Sequence, residues 1–238
     1  MNILIITAVQ KEKDAILTAL KKIPKSFLEK NNYNIDIKTT GLGPVTAAII
    51  TANILNSKTY DLVINTGIAG GFDLEIGTIV LAKNIVYADL GVQTLQGFIP
   101  LEKLGFKAAN IKIKDNLIEK FKQILLTDNM LKNKIQIGTI ATVATITGTK
   151  NRVLNLKKRL RNLKAEAMEG FGVALAAKIK KIPIIELRSV SNKVGIRDKS
   201  KWKIQEALNN LTLTFQNIIQ NLEEIKNLRK IREANNGK

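Results

Sequence analysis

Two residue types are missing altogether from this 238-residue chain: it has no cysteine and no histidine. Without thiols there are no disulfides and no thiolate metal sites, and without imidazole any acid–base chemistry falls to carboxylates, lysine, tyrosine or water. Neither a cofactor nor a metal is expected, and the cytoplasm is the expected compartment. Aromatic residues are sparse at 5%, with a single tryptophan. No apolar stretch approaches the roughly 20 residues of a membrane span. The opening MNILIITAV runs straight into charged residues without a basic leader or a cleavage site, so it reads as a first buried strand. Acidic residues are also few, 20 against 38 basic ones, leaving a formal charge of +18. Such an excess invites a nucleic-acid partner. Yet the lysines are scattered among Asn and Ile, as a bias in nucleotide composition would scatter them. The one concentrated basic run, Asn155–Lys164 (NLKKRLRNLK), lacks the interleaved aromatics that single-strand binding uses. A solvated helix face is the simpler account of it. Neither a nucleic acid nor a membrane is therefore expected as a partner.

What is present suits one α/β domain. A hydrophobic content of 45% over this length supports a substantial core. Strands are expected at Asn2–Thr7, Ile35–Thr40, Asp61–Thr66, Gly77–Ala82 with its continuation toward Ile85–Ala88, Lys134–Thr139 and Ile184–Ser191. Helices are expected at about Gln10–Lys22, Val45–Leu55, Asp115–Leu126, Ala165–Lys178 and Lys203–Leu222. Alternation of the two implies a three-layer α/β/α sandwich around a mixed, mostly parallel sheet. Residues 1–222 form the domain, and 223–238 read as a charged tail. The segment Asp89–Phe106 reads as a long irregular loop, of the kind that serves function or an interface.

The stretch Ala165–Gly172 (AEAMEGFG) sets two carboxylates, Glu166 and Glu169, three residues apart in a small, apolar surround. Helix N-termini favour acids, which accounts for Glu166. Glu169, between Met168 and Phe171, calls for a buried polar partner or a ligand. Glu12 falls just after the carboxyl end of the first strand, the edge at which open α/β sheets bind ligands, though dipole complementarity alone explains a lone Glu there. Gly67–Phe72 (GIAGGF) offers a main chain able to wrap a small molecule. The Gly41-x-Gly43 turn lacks the third glycine of a dinucleotide fingerprint, and no phosphate-cradling loop occurs.

Four segments in order, INTGIAGGF, TVATITGT, AEAMEGFGVALAA and ELRSVSNKVG, resemble the purine-nucleoside phosphorylase and nucleosidase superfamily. The resemblance implies a small-molecule nucleoside substrate and a homo-oligomer. It implies that Glu12 activates water and that Glu169, with the main chain of Met168, holds ribose hydroxyls. Gly70, Ile146, Phe171 and Ser191 would line the pocket, and Trp202 would cover the 5′ substituent unless it is a core residue at a helix start. Adenine-specific members are similar here but carry Asp where this chain has Asn192. An amide cannot act as an acid at neutral pH, but it donates to a 6-oxo group and accepts from N7–H. Mispairing there is worth about 1–3 kcal/mol, favouring hypoxanthine or guanine over adenine. No Arg stands in Thr7–Lys13 or Gly41–Pro44 to bind phosphate, and Glu12 would repel it, so water is the expected nucleophile. SNKVGIRD and the 89–106 segment resemble the branch of the superfamily that hydrolyses futalosine, a 5′-extended, hypoxanthine-bearing nucleoside on an alternative route to menaquinone. Arg197 would meet its distal carboxylate, unless Arg197 and Asp198 form a structural pair. The alternatives are a methylthioadenosine/S-adenosylhomocysteine nucleosidase, a phosphorylase, and a basic nucleic-acid-binding protein.

Overall fold

The fold is seen in a computed structural model that describes residues 1–107 and 109–225. Almost continuous Val/Ile/Leu runs become central strands, because both faces of such a strand are covered. Strand β1 (Asn2–Thr7) leads to helix α1 (Gln10–Lys21), a short helix α2 (Lys25–Lys30) and strand β2 (Asn34–Thr39). Helix α3 (Pro44–Ser57) starts on a proline, whose fixed φ and missing N–H suit a first turn. Strand β3 (Leu62–Gly71) follows, then β4 (Ile79–Tyr87), β5 (Gly91–Thr94), β6 (Gly97–Pro100), β7 (Asn110–Lys112) and helix α4 (Asp115–Leu126). The second half comprises β8 (Ile135–Thr142), α5 (Lys150–Arg159), β9 (Leu163–Ala167), α6 (Gly170–Ile179), β10 (Ile184–Lys193) and α7 (Ile204–Gln220).

The sheet runs β2-β1-β3-β9-β8-β4-β10, and β10 returns to pair with β3. Five strands therefore close on themselves, with β1 and β2 as a wing. Closure is possible because β3 is forked. Its first half lies parallel to β1, Gly70 and Gly71 pair antiparallel with β9, and its other edge follows β10. The sheet is mixed and mostly parallel, the antiparallel pairs being β3–β9, β4–β10 and β4–β7. Helices flank it in two groups, α1 and α4 against α7, and α3 against α6. Gly172 in α6 allows the second contact, since a side chain there would collide with the Pro44 carbonyl of α3.

Several expectations change. Ala165–Ala167 is strand, not helix, and the helix begins only at Gly170. Ala and Glu favour helices, but β9 is wedged between β8 and the fork of β3, and that pairing overrides propensity. The glycine cluster does not follow β3 but belongs to it, up to Gly71. Likewise β10 extends through Asn192 to Lys193. Asp89–Phe106 contains the β5–β6 hairpin and a 3₁₀ turn at Leu101–Leu104. Packing continues past position 222: Ile225 is buried in the core and Glu224 pairs with Lys120. Residues 226–238 of the expected tail lie outside the described residues. Among the described residues no helix is long and apolar enough to cross a membrane.

Candidate active site

The carboxyl ends of β1, β3, β9 and β10 converge with the N-termini of α1, α3 and α6. Glu12 sits in the first turn of α1 and is only 4% exposed. Its Oε2 accepts from the main chain of Ala8 (2.9 Å) and Val9 (3.2 Å), satisfying donors that the start of a helix leaves free. Its Oε1 reaches across to the Ile68 N–H of β3 at 2.8 Å. Helix capping thus explains one oxygen of Glu12 and not the other. Glu169, also 4% exposed, precedes α6. It accepts from the N–H of Gly43 (3.2 Å), at the glycine turn that opens α3, and from the N–H of Met168 (3.3 Å). The Gly41–Gly43 turn, expected to approach a ligand, approaches this carboxylate.

Between the two acids lies a residue that carried no role in the sequence reading, Arg188. It is 1% exposed; its Nε donates to Glu186 Oε1 (2.9 Å) and its Nη2 stands 3.8 Å from Glu169 Oε2. A side chain at Gly67 would strike Glu12 Oε1 and come within 2.7 Å of Arg188 Nη1, so the glycine leaves room for both side chains over the same stretch of β3, where each feels the other's charge. Glu186 is wholly buried and also accepts from Asn65 Nδ2 (3.0 Å). Three carboxylates consequently surround one guanidinium. Burial pushes Glu12 and Glu186 above the ordinary carboxylate range, against the pull of Arg188. Burial weakens the charge on Arg188, but the three acids outweigh it and raise its pKa. A Glu-x-Arg pair on one face of a buried strand was the available signal: alternation puts both side chains on the same side.

A second cluster lies toward the other end of β3. Asn192 on β10 and Glu166 on β9 pair with the same residue, Gly70, from opposite sides. A Cβ at Gly70 would lie 2.8 Å from Val194 Cγ2, 3.4 Å from Asn192 Nδ2 and 3.5 Å from Glu166 Cγ, so the glycine leaves a narrow slot between amide and acid, walled on one side by the Val194 methyl. Ser191, buried, donates to Asn192 Oδ1 (2.9 Å) and to the Ala69 carbonyl (3.3 Å), fixing the amide rather than facing the slot. Glu166 Oε1 accepts from the Thr147 N–H (3.0 Å), and burial raises its pKa. Since β9 is a strand, Glu166 caps no helix. Thr147 Oγ1 accepts from Arg152 Nε (3.3 Å), and Arg152 is paired with Asp89 (2.7 Å).

The remaining expected residues are more peripheral. Phe171 packs against Tyr87, ring centroids 5.7 Å apart, with its N–H bonded to Thr142 Oγ1. Met168 is half-buried against a small apolar cluster that includes Phe72 and Val143, and Ile146 is 44% exposed on the loop after β8. Arg197 lies over the Trp202 ring, 5.9 Å from its centroid, while Asp198 pairs with Lys201 (3.4 Å) rather than with Arg197. Arg197, Lys199, Trp202 and Lys203 share an open cleft of about 580 Å³. Trp202 is therefore not a core residue. Replacing Arg188 with Met is expected to cost about 3–5 kcal/mol of unfolding free energy, because three buried acids lose their cation. Urea denaturation measures this, and an unchanged midpoint would mean that the acids do not depend on it.

Comparison with known proteins gives the same placement. A sequence profile described as "Phosphorylase superfamily" matches residues 3–225. A futalosine hydrolase of Streptomyces coelicolor is 38% identical over 225 residues, covering 89% of this chain and 92% of that one. One of Acidothermus cellulolyticus is 41% identical over 217 residues, covering 89% and 88%. Among solved structures, the native futalosine hydrolase of Helicobacter pylori aligns with a TM-score of 0.77 at 21% identity, covering 93% and 98% of the two chains. With its residues in this order and this closed sheet around them, the chain belongs to the phosphorylase superfamily.

Proposed function

We propose that this chain hydrolyses the N-glycosidic bond of futalosine, releasing hypoxanthine. The observation that carries the reading is the amide of Asn192, held by Ser191 beside the Gly70 slot, where a 6-oxopurine meets both a donor and an acceptor. Support for the substrate class comes from the two curated relatives, both named futalosine hydrolases and matched over nearly their whole length. The same reading puts the product on the route to menaquinone.

N-glycoside cleavage passes through an oxocarbenium-like sugar and a departing purine that gains electrons, so the site must favour positive charge at one end. The cluster of Glu12, Glu169 and Glu186 around Arg188 does this, with more carboxylates than cations next to the ribose. Glu12 takes the proton of the attacking water, and Glu169 holds the ribose hydroxyls. Phosphate has no place in that step: among the charged groups of the cluster only Arg188 is a cation, and its neighbours are acids. The distal carboxylate of the substrate fits the cleft where Arg197, Lys199 and Lys203 gather beside Trp202.

Incubation with futalosine in phosphate-free buffer is expected to release hypoxanthine, while methylthioadenosine releases adenine far more slowly. Faster adenine release, or a requirement for phosphate, would replace this reading by one of the other superfamily activities. Glu12→Gln is expected to lower kcat by about 10²-fold or more, the scale of lost general-base help. A base works only when ionised, so kcat/KM of the wild type should fall as the pH drops through the raised pKa of Glu12, above the ordinary 4.5. A profile flat down to that value would exclude Glu12 as the base. Arg197→Met is expected to raise KM for futalosine several-fold with kcat nearly unchanged; an unaltered KM would remove Arg197 from the site.

A further inference from the structure

Asn192 recognises a base but has no proton to give it. A purine leaving as an anion needs one, and no histidine or cysteine is available. The structure holds one acid beside the slot that the cleavage scheme above leaves unused. Glu166 lies directly across Gly70 from Asn192, 5% exposed, with one oxygen bound to the Thr147 N–H. Its other oxygen, Oε2, is closed to solvent and has no hydrogen-bond partner. A buried carboxylate with an idle oxygen is costly, whereas a carboxyl group there keeps its proton and is a donor in search of an acceptor.

Resting on the nucleosidase reading above, we propose that Glu166 delivers the proton that lets the purine leave, while Asn192 only selects and orients the base. The two side chains flank Gly70, whose own lack of a side chain leaves a floor bordered by the Val194 methyl, so a flat ring laid over it offers one edge to the amide and another to the acid. As the C1′–N9 bond breaks, its electron pair passes to the purine and the Glu166 proton moves to a ring nitrogen. Water adds to C1′ and gives a proton to Glu12. Solvent then returns a proton from Glu12 to Glu166, so that one water is consumed and neutral hypoxanthine leaves.

The surroundings shift Glu166 toward its protonated form. The Thr147 hydroxyl, the Thr147 N–H and the Arg152 guanidinium favour the ionised form, but Arg152 is paired with Asp89 at 2.7 Å, and Asp89 itself opposes ionisation of Glu166. Burial is the largest influence and raises the pKa. Across Gly70 stand Asn192 of β10 and Val194 just after it, both uncharged.

The test is futalosine turnover by the wild type, Glu166→Gln and Glu166→Asp between about pH 5 and 9, with circular dichroism to check folding. An acid donor works only while protonated, so wild-type kcat is expected to fall as the pH rises through the raised pKa of Glu166. Glu166→Gln is expected to lose about 10²-fold in kcat and to lose that alkaline limb. Glu166→Asp should keep a limb, moved in pH, with a smaller loss. If Glu166→Gln does not fold, Glu166→Asp decides: a limb unmoved and a kcat equal to the wild type overturn the proposal. Glu166→Gln within threefold of the wild-type kcat, or with its limb intact, overturns it as well. A wild type that releases hypoxanthine while both variants match it leaves the substrate reading standing and removes only Glu166. A wild type that releases none removes both.

Discussion

One guanidinium holds this site together. Arg188 is buried in the middle of a strand, where a lone charge would be prohibitive, and it is tolerated because Glu186 and Glu169 share it and Glu12 lies close by. Each of those acids is in turn tied to a different part of the chain. Glu186 bonds Asn65 of β3, Glu169 bonds the turn before α3, and Glu12 bonds both its own helix start and Ile68. The electrostatic cluster is therefore also a tertiary clamp. Loosening any member lets a helix N-terminus or a sheet edge move relative to the others. An excess of buried carboxylate over cation is expensive for folding, and it is what a positively charged sugar transition state needs.

The closed sheet sets the scale of the pocket. Because β3 is forked, its first half carries the wing and its second half carries a run of glycines past β9 and β10. Gly67 makes space for the side chains of Glu12 and Arg188, and Gly70 makes space between Asn192 and Glu166. A nucleoside laid along β3 would thus have its sugar at one glycine and its base at the other. On the other side, the few residues from Glu166 to Glu169 pass from a strand into the start of α6. Charge is sorted along this axis. Three acids around a cation lie at one end, an amide and a single buried acid at the other.

Much of this was legible beforehand, for identifiable reasons. The strands with continuous aliphatic runs and the amphipathic helices α1, α4 and α7 fall close to where periodicity puts them, because burial on two faces or one leaves a direct trace in residue order. Glu12 was singled out by its place after the first strand and by the family resemblance, Glu169 because it interrupts small, apolar surroundings, and Asn192 because it departs from a related pattern. Glu166 was misassigned because Ala and Glu are good helix formers and only pairing with β8 and β3 makes them a strand. Arg188 and Glu186 were visible as a charged pair and still carried no role, since nothing local says which acids will surround a buried arginine.

The order of residues by itself determined which chemistry was possible: an absence of thiol and imidazole leaves carboxylates and amides to do the work, and alternating β and α segments leave a layered sheet fold. Which carboxylates gather around Arg188 and which one lies beside Asn192 was decided only by tertiary structure. Partners of Arg188 come from α1, β10 and the start of α6, and the slot at Gly70 exists because three strands distant in sequence meet there. Long-range pairing has no local signature, because hydrogen bonds between strands depend on the backbone, which every residue shares.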